Sequence, residues 1–166
     1  MGTRREARER AVQFLFQSDL NPPEDLEAAL SEFWETQQPE PEHRSPGGAP
    51  ASPDDDAPAE PRPLNTAQAA MRLFAETLIR GTLENREAID AQIQKLARNW
   101  ALHRMAVVDR NILRAALFEM QHCEDVPPVV TINEAVEIAK RYSTEESGKF
   151  VNGILDSFKK TLRRGR

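Results

Sequence analysis

The chain has 166 residues, 30% of them charged, and a formal net charge of −5 at pH 7. That length suits one domain with its own apolar core, and we predict a single domain over residues 1–166. The single cysteine excludes an internal disulfide, and no apolar run approaches the roughly 20 residues that span a membrane. Because residues 1–8 lack the apolar core of a secretory signal, we expect a soluble cytoplasmic protein with no membrane partner.

Negative charge is concentrated in the middle of the chain. Residues 36–64 hold six acidic residues against two arginines, which accounts for −4 of the net charge of −5. The first ten residues hold four arginines against two glutamates, and residues 149–166 hold six cations against one aspartate. Both ends of the chain are therefore basic, and they offer the local positive potential that binding to a polyanion requires.

The first predicted helix combines a buried face with a cationic flank. Apolar residues recur at helical spacing over residues 3–18. Arg5, Arg8, Val12 and Phe16 align beside that apolar face. Guanidinium groups suit phosphates and a ring suits base stacking, so this flank is a candidate RNA surface. The alternative is a solvated helix flank whose ring lies half in the core.

A second helix and a long insert follow. The sequence Asn21-Pro22-Pro23-Glu24 offers an N-cap, and an apolar stripe after it predicts a helix that ends before Pro39. Residues at about 38–64 contain eight of the 12 prolines and a run of three aspartates, which predicts a disordered, Pro-rich acidic insert. A solvated linker and an acidic decoy that competes with RNA are both open interpretations of this insert.

The remaining sequence predicts helices and only one weak strand candidate, residues 126–132. Asn65 with Gln68 can cap a third helix, and Gly81 inside it predicts a helix break or a close helix crossing. Asp109 opens a helix that should be central to the core. The fold class is therefore all-α, a compact bundle of about seven helices.

Two capping boxes predict the starts of the last two helices: Thr131 with Glu134, and Ser143 with Glu146. In the last helix Lys149 falls away from the apolar face, and Phe150 lies at its edge as either core or contact. Gly153 is predicted to permit a close helix contact. The apolar face itself consists of Val151, Ile154, Leu155, Phe158 and Leu162.

No residue pattern supports catalysis, a metal site or a bound cofactor. The three histidines are scattered, and His122-Cys123 lacks a second ligand pair. Gly148 and Gly153 lack the lysine and hydroxyl pattern of a phosphate-binding loop. We therefore predict a binding protein and not an enzyme.

Five segments, in family order, give the chain a resemblance to the NusB family of bacterial transcription antitermination factors. They are residues 4–13, 99–105, 108–114, 132–140 and 149–155. The resemblance implies an all-helical fold of two small helical subdomains without catalytic activity. It also implies binding to the boxA element of ribosomal RNA leader transcripts together with the ribosomal protein NusE, which helps RNA polymerase to read through terminators.

The family's RNA-binding positions fall on nine residues of this chain. They are Arg4, Arg5, Arg8, Arg10, Phe16, Tyr142, Glu146, Lys149 and Phe150. The chain departs from the family where Ser143 replaces the usual glycine after Tyr142, and where Val129 stands at a position that is lysine in some relatives. The alternative interpretation is a helical protein-interaction module, or a homodimer, that makes no functional RNA contact.

Overall fold

The computed structural model describes residues 3–37 and 66–164. These residues form seven α-helices and one short 3-10 helix: α1 Thr3–Leu20, α2 Leu26–Thr36, α3 Thr66–Glu84, α4 Arg86–Leu96, the 3-10 helix Leu102–Arg104, α5 Val107–His122, α6 Pro128–Tyr142 and α7 Glu145–Arg164. The described part contains no strand, which confirms the all-α fold class. The strand candidate at 126–132 is wrong because Pro128 opens α6. The predicted insert and the Asn65 cap lie outside the described residues.

Contacts divide the chain into two units, one of residues 1–22 and 66–166 and one of residues 23–65. The described part of the smaller unit centres on α2. Asp25 caps this helix, since its carboxylate accepts hydrogen bonds from the backbone N–H groups of Glu27 and Ala28 at 3.1 and 3.3 Å. The predicted cap at Asn21 is therefore wrong by four positions.

Helix α5 is the central helix of the larger unit, as predicted. It contacts α1, α3, α4, α6 and α7, and every residue from 111 to 120 is buried. Asp109 lies in its first turn, where the positive end of the helix dipole stabilises a carboxylate. A helix buried on all sides must also bury polar side chains, and those of Asn111, Arg114 and Glu119 all have hydrogen-bond partners.

Gly81 marks a close crossing of α3 and α5. A Cβ atom at this position would lie 2.0 Å from Cζ of Phe118, so only glycine lets the ring pack against the α3 backbone. The prediction of a close crossing is confirmed, and the break between α3 and α4 falls later, at Asn85. Gly153 differs, because a Cβ there would meet nothing within 4 Å; the predicted close contact at Gly153 is wrong.

The starts of α6 and α7 differ from both predicted capping boxes. Thr144 caps α7, since its Oγ1 accepts a hydrogen bond from the backbone N–H of Ser147 at 2.9 Å. Helix α6 begins at Pro128, where a first-turn proline loses no helical hydrogen bond. Thr131 therefore lies inside the helix, and its hydroxyl donates to Glu119. The buried faces of both helices nevertheless match the apolar patterns, as Val151, Ile154, Leu155 and Phe158 show.

A cluster of charged side chains fixes the end of α1 to α4 and α5. Asp19 accepts hydrogen bonds from Arg110 at 2.6 Å, Arg114 at 2.8 Å and Asn111 at 3.0 Å, and Arg114 also forms two bonds with Asp90. Burial alone would raise the pKa of Asp19, but the hydrogen bonds and the charges of the two arginines lower it to about 2.

None of the helices in the described ranges is long and apolar enough to cross a membrane.

Candidate nucleic-acid interface

The first turns of α1 carry three exposed or half-buried arginines that pair with carboxylates. Arg4 donates to Asp125 at 2.9 Å, and its Cζ lies 4.7 Å from the centre of the Phe74 ring. Arg5 makes two hydrogen bonds with Glu134, at 2.8 and 3.0 Å, which raise the pKa of Arg5 and lower that of Glu134. Arg10 lies 3.5 Å from Glu6, one turn earlier. The pairs of Arg4 and Arg5 tie α1 to the loop before α6 and to α6 itself, whereas the Arg10 pair lies within α1.

Arg8 does not lie on the predicted exposed flank. The residue is only 7% exposed, and its guanidinium makes two hydrogen bonds with buried Glu119 at 2.7 and 3.2 Å. Val12, one turn later, is buried as well. The prediction of a continuous exposed strip from Arg5 to Phe16 is therefore wrong. The face of α1 that α5 covers is wider than the apolar pattern alone indicated, and it includes Arg8 and Val12. Phe16, at the end of that strip, is half-buried.

Tyr142 is held at the end of α6 by a residue of α1. Its hydroxyl donates to Glu9 at 3.2 Å, and Arg141 donates to the other carboxylate oxygen of Glu9 at 3.0 Å. The Arg141 Cζ lies 5.4 Å from the centre of the Tyr142 ring, a cation–π distance. One glutamate thus orients a guanidinium and an aromatic ring that is 51% exposed.

The Tyr142 hydroxyl stays protonated in this arrangement. Burial and the negative charge of Glu9 raise the pKa of Tyr142, and the hydrogen bond to Glu9 adds to the effect. The positive charges of Arg141 and Arg10 oppose this rise in the pKa of Tyr142. The geometry therefore places the guanidinium of Arg141 beside one exposed ring.

Glu9 and Arg141 were not among the sequence-predicted site residues. Each looks like an ordinary surface charge on an amphipathic helix, and the contact that unites them joins residues 132 positions apart. The sequence contains no local signal for that contact. The residue pattern revealed the arginine-rich start of α1, and the family resemblance pointed to Tyr142.

The remaining predicted residues lie at the start of α7. Lys149 and Glu146 are exposed and 3.4 Å apart, as expected for residues one helical turn apart. Phe150 is half-buried and lines a cavity of about 300 Å³ together with Trp100 and Arg104. Within the described ranges no ring contact or hydrogen bond joins Phe16 or Phe150 to the arginines of α1.

The described residues contain no group of three or more His, Cys, Asp or Glu side chains that could hold a metal ion. What the surface offers is arginine, lysine and aromatic side chains spread over α1, the end of α6 and the start of α7. Phosphate and base groups are the natural ligands of such a surface. The fold is all-helical, and the chemistry of this surface suits a nucleic-acid ligand.

The NusB family model matches residues 5–160, and the chain belongs to the NusB family. It is 43% identical over 155 residues to the transcription antitermination protein NusB of Desulfitobacterium hafniense (strain DSM 10664 / DCB-2), covering 93% of this chain and 86% of that protein. It is 39% identical to the NusB protein of Bacillus cereus (strain B4264) over 163 residues, covering 96% of this chain and 98% of that protein.

Solved structures agree with this assignment. The structure of T. maritima NusB aligns with a TM-score of 0.66 and 39% identity, covering 93% of this chain and 88% of that chain. A structure of the antitermination factors NusB and NusE in complex with dsRNA aligns with a TM-score of 0.71 over 97% of this chain and 98% of that chain. At 24% identity, this second likeness shows the shared fold.

Proposed function

We propose that this protein is an RNA-binding transcription antitermination factor. It binds the boxA element of ribosomal RNA leader transcripts together with NusE, and the complex makes RNA polymerase resistant to termination. Family membership over nearly the whole chain supports the role, since the relatives at 39 to 43% identity are transcription antitermination proteins. The observation that carries the RNA contact is the exposed ring of Tyr142, which Glu9 of the arginine-bearing helix α1 holds beside Arg141.

The exposed cations of this surface are available to phosphate although each has a carboxylate partner. Arg4 and Lys149 pair with Asp125 and Glu146 in solvent-exposed positions. The guanidinium of Arg5 is exposed as well, although its partner Glu134 is half-buried. Exposed pairs contribute little net free energy, because water solvates the separated charges well. A phosphate can therefore replace the carboxylate at small cost, and it offers the same fork geometry to arginine.

Arg8 has a different role in the proposed function. Separating a buried ion pair by removing one partner costs about 3 to 5 kcal/mol, so the Arg8 guanidinium stays on Glu119 when RNA binds. Its contribution is to fix the first turns of α1 against α5. That fixed position lets Arg4 and Arg5 approach the RNA backbone without first ordering the helix.

The protein acts by binding, and its proposed role includes no catalytic step. Phosphate contacts would supply affinity, while stacking of bases on exposed rings would favour single-stranded RNA. NusE would occupy a further surface of the helical bundle. The two ligands together provide the selectivity for boxA.

The test is a titration of boxA RNA at several salt concentrations, with and without NusE. For single-stranded RNA, log Kobs should fall linearly with log [salt], and Arg5→Ala should reduce the slope by about 0.7 because one phosphate contact is lost. Lys95→Ala is the matched control: it removes one exposed charge on α4, which carries none of the proposed RNA-binding residues. Equal binding of boxA RNA and a scrambled RNA in the presence of NusE would contradict the proposal.

A further inference from the structure

We propose that the groove between the start of α6 and the end of α7 binds a short segment of a protein partner. The segment it fits carries aliphatic side chains next to a single carboxylate. The groove has a volume of about 410 Å³, within the range of ligand sites in proteins. None of the residues proposed to bind RNA lines it, so the site is additional to the proposed function and does not depend on it.

The surface of the groove is largely aliphatic. Met120 and Val126 line it and are almost fully buried, while Leu162 of α7 is half-buried. Val129 continues this surface outwards and is 49% exposed, and Val130 beside it is 39% exposed. Adjacent exposed aliphatic side chains next to an apolar groove are typical of a surface that a protein partner covers.

The loop wall of the groove is fixed before any ligand binds. The N–H of Val126 donates to the carbonyl of Cys123 at 3.1 Å, and Asp125 accepts a hydrogen bond from Arg4 of α1 at 2.9 Å. A wall held in this way loses little freedom on binding, so more of the contact energy appears as affinity. The contact with Arg4 also means that the groove borders the surface proposed to bind RNA.

Lys159 supplies the charge that selects the ligand. Its side chain is half-buried on the groove wall and forms no ion pair in the described ranges, whereas Lys160 lies 3.4 Å from Asp156. Residues 159–166 hold five cations and no acidic residue. A carboxylate that enters the groove beside its aliphatic wall therefore meets a cation that no described residue already neutralises.

The same walls favour a protein segment over RNA. Glu124 and Asp125 line the groove, and their carboxylates repel phosphate groups. Among the described residues that line it, none carries an aromatic ring on which a base could stack. A protein segment can direct one carboxylate to Lys159 and place aliphatic side chains against Val129, whereas a nucleic-acid strand carries a charge at every phosphate.

Two synthetic peptides that differ in one charge test the site. The first has the sequence Ser-Gly-Leu-Glu-Leu-Gly-Ser with both ends capped, and the second has lysine in place of its glutamate. Each is titrated into the full chain while the backbone amide NMR signals are followed. The glutamate peptide should shift the signals of Cys123, Val126 and Val129, and it should bind about 5-fold more tightly than the lysine peptide.

Lys159→Glu should reverse this preference, and Lys159→Met, which removes the charge but keeps an aliphatic stem, should abolish it. Val129→Lys should weaken both peptides by about 5-fold, because it places a charge in the aliphatic wall. Lys95→Glu and Leu73→Lys are the matched controls, since they make the same changes at exposed positions of α4 and α3 that do not line the groove. The amide spectrum of each variant reports whether it is folded.

The outcomes separate this proposal from the RNA-binding function. Absence of binding by both peptides, equal binding of the two, or an unchanged preference in Lys159→Glu overturns the protein-binding groove. A shift of the same amide signals by boxA RNA that Lys159→Glu abolishes also overturns it and assigns the groove to RNA. The peptide titrations contain no RNA, so a failure of the RNA-binding function leaves their result unaffected.

Discussion

Two arginines one turn apart on α1 show how tertiary surroundings assign different roles to one side-chain type. Arg5 pairs with Glu134 at the surface, whereas Arg8 pairs with Glu119 in the core. Both were predicted on the same flank, and helical spacing alone could not separate them. The width of the α1 face that α5 covers decides the difference.

Alanine at these two positions should therefore affect different measurements. Arg8→Ala leaves the Glu119 carboxylate buried without its partner and should lower the free energy of unfolding by about 3 to 5 kcal/mol. Arg5→Ala should leave the urea midpoint almost unchanged and weaken RNA binding. Urea unfolding and RNA titration of both variants check this. The double variant Arg8→Met with Glu119→Leu should recover much of the stability that Arg8→Ala loses. An equal loss of stability in Arg5→Ala, Arg8→Ala and the double variant would contradict the assignment of Arg8 to the core and Arg5 to the surface.

Glu9 should control both the ionisation of Tyr142 and RNA affinity. Glu9→Gln removes the negative charge and the hydrogen-bonded carboxylate, so the pKa of Tyr142 should fall. The chain has one tyrosine, so absorbance of the phenolate during an alkaline titration reports this group alone.

RNA affinity should fall in the same Glu9→Gln variant, because Tyr142 and Arg141 lose the group that orients them. Glu87→Gln is the matched control, since Glu87 is exposed on α4, which carries none of the proposed RNA-binding residues. An unchanged phenol titration in Glu9→Gln would show that Glu9 does not hold the ring.

Helix boundaries were the least accurate part of the sequence interpretation. Several residues can act as an N-cap, and Thr144 and Ser143 are adjacent candidates for α7. Which one caps the helix depends on where the preceding helix ends and on what the first turn contacts. Ser147, for example, also donates to Asp109 of α5 at 2.9 Å, which favours the later start.

Two of the helical glycines, Gly81 and Gly153, should respond to alanine in opposite directions. Gly81→Ala places a Cβ against the Phe118 ring and should lower the free energy of unfolding by about 1 to 3 kcal/mol through overpacking. Gly153→Ala meets open space inside a helix and should raise it by about 0.5 to 1 kcal/mol. Urea unfolding measures both, and destabilisation by Gly153→Ala would contradict the described packing of α7.

At the scale of the whole molecule, buried or partly buried charge fixes α1 at both ends. Arg8 joins its first half to Glu119 of α5, and Asp19 joins its last turn to Arg110 and Arg114 of the same helix. The arginines and Glu9, which carry the proposed RNA contact, lie on the part of α1 that these anchors hold. The rigidity of the surface is therefore a property of the tertiary structure.

Asp19 should make stability depend on pH in the acid range. Its pKa is about 2 in the folded protein and 3.8 as the ordinary value, so its contribution is complete above about pH 4 and is lost as the pH falls toward 2. After allowance for solvent screening the contribution should be about 1 to 2 kcal/mol. The difference in unfolding free energy between the unaltered protein and Asp19→Asn should shrink by that amount from pH 5 to pH 2. A constant difference would contradict the assignment.

The sequence by itself determined the fold class, the order of the helices and the basic start of α1, because helical periodicity and arginine clustering are local properties. It also marked the tight position at Gly81, while the functional interpretation of Tyr142 came from the resemblance to the NusB family. The tertiary structure decided that Arg8 is buried, that Glu9 joins Arg141 to Tyr142, and that Trp100 shares a cavity with Phe150. These outcomes depend on contacts between residues far apart in the chain, which local pattern does not contain.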